Sequence, residues 1–275
     1  MERNITLKDK NTFRVGGLAR YYSFVSSRKE LEETLLFAKK ENLPVFVIGE
    51  GSNLSISDNV FEGVVIKLNL KEIKKEGNLF YVEAGVLLRE LVLKAKDFNL
   101  GGLEWAVGIP GTLGGAIFGN AGAHKHSISE LIKEVEVFDG KDVKILKKEA
   151  CKFDYRESVF KTNTNLIILS AILEFKEGVS EELMKEYLAK RKPVKGFSIG
   201  SIFKNPEGLF AGKLIENCGL KGKRIGDAMI SEEHANWIIN LGNAKSEDIE
   251  KLISLIKKEV KEKFKIDLIE EIRRF

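Results

Sequence analysis

A chain of 275 residues is long enough for about two domains, and 43% hydrophobic residues is enough for a buried core and too much for a disordered chain. A net charge of +4, from 45 basic and 41 acidic residues, calls for no nucleic-acid partner, although it suits an anionic small ligand. No apolar run approaches the ~18 residues of a membrane span, and the start, MERNITLKDK, lacks the apolar stretch of a secretory signal, so a cytoplasmic, membrane-free protein with Cys151 and Cys218 as reduced thiols is expected.

The first segment alternates strand and helix signals. Residues 21–26 read as a strand. Ser27 opens a helix with Glu30 three positions on, a capping-box pattern, and Leu31, Leu35 and Ala38 give that helix an apolar stripe. Pro44 precedes a short buried strand at 45–48, and another strand follows at 64–66. The middle segment predicts a strand at 80–84, a helix at 87–98 and a hairpin of 135–138 with 143–146 around Asp139-Gly140. A strand at 166–175 places Ile167, Leu169, Ala171 and Leu173 on one face, and Ser180 caps a charged helix reaching about Arg191.

The last segment begins near Pro193. A helix at 209–218 stops at Gly219, the residue type that suits a helix C-terminus. Residues 235–240 read as a strand. Ser246 is expected to cap a long helix whose Ile249, Leu252, Ile253, Ile256, Val260 and Phe264 fall at helical spacing. A closing strand is expected at 267–272.

Two glycine-rich loops stand out. Gly49-Glu50-Gly51-Ser52-Asn53 follows the 45–48 strand directly. Glycines let backbone amides surround an anion with no Cβ in the way. The loop is not a dinucleotide fingerprint, because Leu54 stands where a third Gly is needed, and an ordinary strand-to-turn connection is an equal reading. The second loop is denser. Gly108, Ile109, Pro110, Gly111, Thr112, Leu113, Gly114 and Gly115 run on to Asn120, Ala121 and Gly122, with six glycines in fifteen residues. Thr112 is placed to cap a helix whose first amides would face a phosphate. No Gly-Lys-Ser/Thr follows, so it is not a Walker loop. Two such loops suit a diphosphate, as in FAD.

GEGSN followed by GIPGTLGGAIFGNAGA resembles the FAD-binding loops of the UDP-N-acetylenolpyruvoylglucosamine reductases, a family in the wider group of vanillyl-alcohol-oxidase-type flavoproteins. Three further stretches match that family in order: Tyr155-Arg156-Glu157-Ser158-Val159-Phe160-Lys161, Gly200-Ser201-Ile202-Phe203-Lys204-Asn205-Pro206, and Glu270-Glu271-Ile272-Arg273. The match runs from Asn11-Thr12-Phe13 to Arg273, and at this length it looks like the family's shorter, type II form.

The resemblance implies an α+β chain: two FAD-binding subdomains at 1–68 and 69–192, a substrate-binding subdomain at 193–265, and a strand at 266–275 returning to the first. It implies non-covalent FAD held by the two glycine loops, NADPH as co-substrate, and an enolpyruvyl sugar nucleotide reduced to UDP-N-acetylmuramate for peptidoglycan. A monomer is expected, with no nucleic acid, no membrane and no metal.

Adding hydride to an enol ether of pyruvate needs a hydride donor, a cation by the carboxylate and an acid to protonate the carbanion. Arg156 offers the charged fork. By resemblance, Ser201 is the proton donor, Glu271 stabilises the enol-like intermediate, and Tyr155, Lys204 and Asn205 contact substrate. Local alternatives remain for each: a turn serine at 201, a surface pair of Arg156 with Glu157, a solvated acidic pair at 270–271. Glu270 and Ile269 replace the family's usual Pro and Glu. His124 and His126 also depart from the pattern and receive no role, and His234 and Asn236 match a family stretch of unclear purpose. An oxidase of the same fold group and a non-enzymatic nucleotide- or nucleic-acid-binding protein are the rivals.

Overall fold

The computed structural model describes residues 1–191 and 195–275. Pro193, where the third subdomain was expected to begin, lies outside the described residues. The chain divides into two compact units, one of Met1, Tyr22–Glu50 and Gly63–Arg191, the other of Glu2–Tyr21, Gly51–Glu62 and Lys192–Phe275. It passes between them within the strands Leu18–Val25 and Phe61–Leu68.

In the first unit, the Arg28–Lys40 helix starts as expected. Ser27 accepts from the Glu30 amide at 3.2 Å, while the Glu30 carboxylate reaches back to the amide of Ser26 at 2.7 Å. The Val45–Ile48 strand pairs in parallel with Val64 to Lys67. Five antiparallel strands form the main sheet, in the order Val143–Lys147, Ile132–Phe138, Ile167–Glu174, Leu79–Glu83, Ile73–Glu76. The Ile167–Glu174 strand is the middle one, and it is buried on both faces rather than the single face its alternation suggests: Ile168 and Ser170 are buried as well as Ile167, Leu169 and Ala171. The buried Ser170 hydroxyl is satisfied by the Glu136 carboxylate at 2.6 Å, which in turn holds Arg28. Hairpin pairing ends at Phe138↔Val143, so the turn spans Asp139 to Asp142, and the Asp139 carboxylate accepts from the amides of Lys141 and Asp142. Those amides and Lys144 hold the Asp139 carboxyl well below the usual range.

In the second unit, an antiparallel sheet runs Phe197–Ser201, Trp237–Asn240, Ala228–Ile230, Arg224–Ile225. The helices Ala211–Asn217 and Ser246–Phe264 pack with it around Ile202, Phe203, Ile215, Ile238, Leu252 and Ile256, together with Phe13 and Val15 from the start of the chain. Asn240 ties these parts: its Nδ2 donates to the Phe13 carbonyl at 2.9 Å, and its Oδ1 accepts from the amides of Gly242 and Ala244.

Two details differ from expectation. Ser246 is the first helical residue, not the cap. Its amide and hydroxyl both donate to Asp58, at 2.7 and 3.1 Å, and the Asp248 carboxylate caps the amide of Lys245. The charged acceptor outcompetes the serine's own backbone. The closing strand is shorter and later than 267–272. Residues Arg273–Arg274 pair in parallel with Leu54–Ser55, and Glu270 makes only an isolated bridge to Phe203. No helix among the described residues is long and apolar enough to cross a membrane.

Candidate functional site

In the first unit, the loop leaving Ile48 is tightly constrained. A Cβ on Gly49 would stand 2.6 Å from the Thr112 hydroxyl oxygen. Only glycine therefore allows the two glycine-rich segments this approach. Lys67 donates to the Gly49 carbonyl at 2.6 Å and pairs with the Glu50 carboxylate at 2.5 Å. Gly111 has φ +140, a region closed to other residues, and its carbonyl accepts from Leu88 at 3.0 Å.

Thr112 does cap the Leu113–Phe118 helix, accepting from the Gly115 amide at 3.3 Å. The helix amides do not face a ligand, however. Leu113 donates to the Val86 carbonyl at 2.8 Å and Gly114 to Ala84 at 2.9 Å. Gly114 is a packing residue, since its Cβ would lie 2.9 Å from that of Ala84. A close approach of two glycine-rich backbones with no Cβ between them suits a diphosphate-binding loop, so these residues fit FAD.

Further along, Asn120 is buried with φ +41. Its Nδ2 donates to the Asp154 carbonyl at 2.8 Å, and its Oδ1 accepts from the Ser129 amide at 3.3 Å. Arg156, itself at φ +58, donates to the carbonyls of Asn120 at 3.5 Å and Gly122 at 2.5 Å. The guanidinium is thus oriented by the second glycine loop, while Glu157 has Lys161 as an ion partner at 3.8 Å. Tyr155 is half exposed, with the guanidinium 5.5 Å from its ring centroid. The histidine pair separates: His124 stacks on Tyr187 at 4.0 Å, and His126 bonds Glu130 at 2.9 Å. Burial, then the positive charges of Lys190 and Arg191, lower the His124 pKa. Among the described residues no three His, Cys, Asp or Glu could hold a metal. Burial pushes the Cys151 thiol up to about 11, which leaves it inert.

In the second unit, Ser201 ends the Phe197–Ser201 strand opposite Trp237, after an irregularity at Gly200, whose φ is +78. The segment beyond it is gripped on two sides. On one, the Ile202 amide donates to the Asn236 carbonyl at 2.9 Å. The Asn236 side chain then accepts from the Phe203 amide at 3.0 Å and donates to the Phe203 carbonyl at 2.8 Å. On the other, Lys204 donates to the Ile269 carbonyl and Glu271 to the Ile202 carbonyl, both at 2.8 Å. Asn53, from the first glycine loop, donates from Nδ2 to the Glu271 carbonyl at 3.1 Å and accepts from the Arg273 amide at 3.0 Å. Asn53, Glu271 and the segment after Ser201 therefore share one hydrogen-bond network.

Glu270 is bound by Lys257 and by Arg274 at 2.8 and 2.9 Å. Burial pushes its pKa up, but Arg274 and Lys257 together outweigh this and hold it below the usual range. Glu270 is a structural anion. Asn205 accepts from the Ala211 amide at 3.0 Å and so starts the Ala211–Asn217 helix. His234 accepts from the Asn236 amide at 3.3 Å and stacks on Trp237 at 5.2 Å.

Lys67 and Asn236 were not picked out as supports for the site by sequence reasoning. No local signal marks Lys67. Asn236 lies in Glu233-His234-Ala235-Asn236, a stretch that matches the family without indicating a role.

The comparisons with known proteins agree with this architecture. Residues 19–147 match the model of the FAD binding domain, and residues 192–275 that of the C-terminal domain of UDP-N-acetylenolpyruvoylglucosamine reductase. The chain is 43% identical to the UDP-N-acetylenolpyruvoylglucosamine reductase of Caldicellulosiruptor bescii, over 97% of this chain and 88% of that one. It is 41% identical to that of Caldanaerobacter subterraneus, over 98% and 92%. The crystal structure of the Thermus caldophilus reductase superposes with a TM-score of 0.85 at 36% identity, covering 99% of this chain and 98% of that one. The fold is the expected α+β one, that of the Thermus caldophilus reductase, with an FAD-binding domain followed by a smaller α+β part. The chain is an FAD oxidoreductase and belongs to the UDP-N-acetylenolpyruvoylglucosamine reductase family.

Proposed function

We propose that the protein reduces UDP-N-acetyl-3-O-(1-carboxyvinyl)-glucosamine to UDP-N-acetylmuramate at the expense of NADPH, in the cytoplasm and as a monomer of the type II form. Subdomains 1–68 and 69–192 hold the cofactor, residues 193–265 cover the substrate, and 266–275 return to the first. FAD, when bound, supplies the hydride path from NADPH to the enolpyruvyl group.

The chain's own residues supply the rest. The loops at 49–53, 108–115 and 120–122 hold the cofactor through backbone donors. Hydride arriving at the terminal vinyl carbon places an electron pair on the neighbouring carbon and its carboxylate. Arg156, fixed by two backbone carbonyls, neutralises that carboxylate. The Ser201 hydroxyl gives its proton to the neighbouring carbon, breaking its O–H bond as the C–H bond forms, and is reprotonated from water. Glu271 stabilises the enol-like state. Tyr155, Lys204 and Asn205 contact the sugar nucleotide, with Asn205 on the side of its diphosphate.

The observation that supports this most is the bond from Glu271 to Ile202 together with that from Asn53 to Glu271, which ties Glu271 to Asn53 and to the residue after Ser201. The test is an absorbance spectrum of the purified protein, bleached with NADPH and then exposed to the enolpyruvyl nucleotide. Yellow colour should return with substrate in the absence of oxygen. Recovery only with air identifies an oxidase, and no flavin band at all removes the flavoenzyme reading.

A further inference from the structure

We propose that Lys67 is the positioning residue of the first cofactor loop, and that it does so by cancelling the charge of Glu50 beside the flavin diphosphate. The inference rests on FAD being held by residues 49–53. Ile48 is paired with Lys67 in the parallel ladder, so Lys67 stands at the strand end from which the loop departs. Its side chain is only 16% exposed, and its ammonium is committed at close range to two groups of that loop, the Gly49 carbonyl at 2.6 Å and the Glu50 carboxylate at 2.5 Å.

A carboxylate inside a loop meant for a diphosphate is an electrostatic contradiction. Both lie within one pentapeptide, closer than the Debye length of about 8 Å at physiological salt, so their repulsion is poorly screened. Lys67 removes it with a point charge. The same ammonium fixes the Gly49 carbonyl, and Gly49 has no freedom to shift because the Thr112 hydroxyl occupies the space next to it. Charge cancellation and loop geometry thus pass through one side chain.

The experiment titrates FAD into apoprotein prepared from the holoprotein, following quenching of flavin fluorescence, for wild type, Lys67→Met, Lys67→Arg, Glu50→Gln and the double variant Glu50→Gln/Lys67→Met. Lys67→Met should weaken FAD about tenfold at low salt, and the deficit should shrink as salt is raised. Lys67→Arg should stay close to wild type. The double variant should recover most of the loss, because the uncompensated carboxylate is gone. Thermal unfolding of each apoprotein reports whether the fold survives. FAD affinity unchanged in Lys67→Met overturns the proposal, and so does a double variant as weak as Lys67→Met. Wild-type protein that binds no FAD overturns the flavin reading instead.

Discussion

The amide of Glu271 donates to the carbonyl of Ile202 at 2.8 Å. The residue after Ser201 and the C-terminal acid are therefore aligned by main chain, and a side-chain change at either position should leave the other in place. Ser201→Ala should accordingly bind FAD and be reduced by NADPH at nearly the wild-type rate. Reoxidation by the enolpyruvyl nucleotide should slow by roughly a hundred- to ten-thousand-fold, the usual size of a lost proton donor. Stopped-flow absorbance of the two half-reactions separates these rates, and equal slowing of both would remove Ser201 from the proton-donor role.

Glu270 and Glu271 should behave differently although they are neighbours. Glu271→Gln should act mainly on the rate of substrate-dependent reoxidation. Glu270→Gln should do the reverse, costing about 1 kcal/mol, since Lys257 and Arg274 are half exposed and can be hydrated when the pair is lost. The folded pKa of Glu270 is depressed. Its contribution is therefore fully present above the unfolded value of about 4.3 and is lost as pH falls through the folded value. Melting curves of wild type and Glu270→Gln should converge as pH drops below about 4, and parallel curves across that range would contradict the assignment.

Asn236 places a buried amide where the ladder around Ser201 would otherwise be unpaired. Asn236→Ala leaves a buried N–H and a buried C=O of Phe203 without partners, a cost of roughly 1–3 kcal/mol for each. Asn236→Asp keeps an acceptor for the Phe203 amide but sets a buried carboxylate against the Phe203 carbonyl, so at neutral pH it should be no more stable than the alanine variant. Urea unfolding gives the order, and an alanine variant as stable as wild type would contradict the hydrogen-bond assignment.

Gly49→Ala tests the close approach in the first unit. Its Cβ would be driven into the Thr112 oxygen, so FAD affinity should fall by at least about tenfold. Combining it with Thr112→Ala opens the space and should restore part of that affinity, at a cost of about 1 kcal/mol for the lost helix cap. Flavin fluorescence and thermal unfolding report the two effects separately.

Much of the fold was legible where a pattern is local. Ser27 with Glu30 marked a helix start, four apolar residues after Pro44 marked a strand, although as an edge strand it buries only Ile48 fully, and glycine after Cys218 marked a helix end. Each depends on residues a few positions apart. What was missed depends on distant partners. Ser246 is drawn off its capping position by Asp58, 188 residues away, and the Phe203 backbone is satisfied by a side chain 33 residues on. Both faces of the Ile167–Glu174 strand are buried because it is the middle strand of its sheet, which alternation alone does not reveal. In the candidate site, motif order pointed to Asn53, Ser201 and Glu271; hydrogen bonds link Asn53 to Glu271 and Glu271 to Ile202, the residue after Ser201. The same reading assigned the helix after Thr112 to phosphate binding, and there the backbone carbonyls of Ala84 and Val86 had already taken the amides.

The pairing of Arg273–Arg274 with Leu54–Ser55 has a consequence for biosynthesis. Asn53 and Glu271 are 218 residues apart, so on the ribosome the segment after the first glycine loop waits roughly 10–45 s for its partner at typical elongation rates. During that interval the Leu54–Ser55 backbone lacks this neighbouring strand and is open to pairing with another nascent chain. The first unit has all its segments once Arg191 has emerged, whereas the second can close only after translation has passed its last residues. Newly made protein should therefore gain protease resistance in two steps, the second arriving only at the end of synthesis.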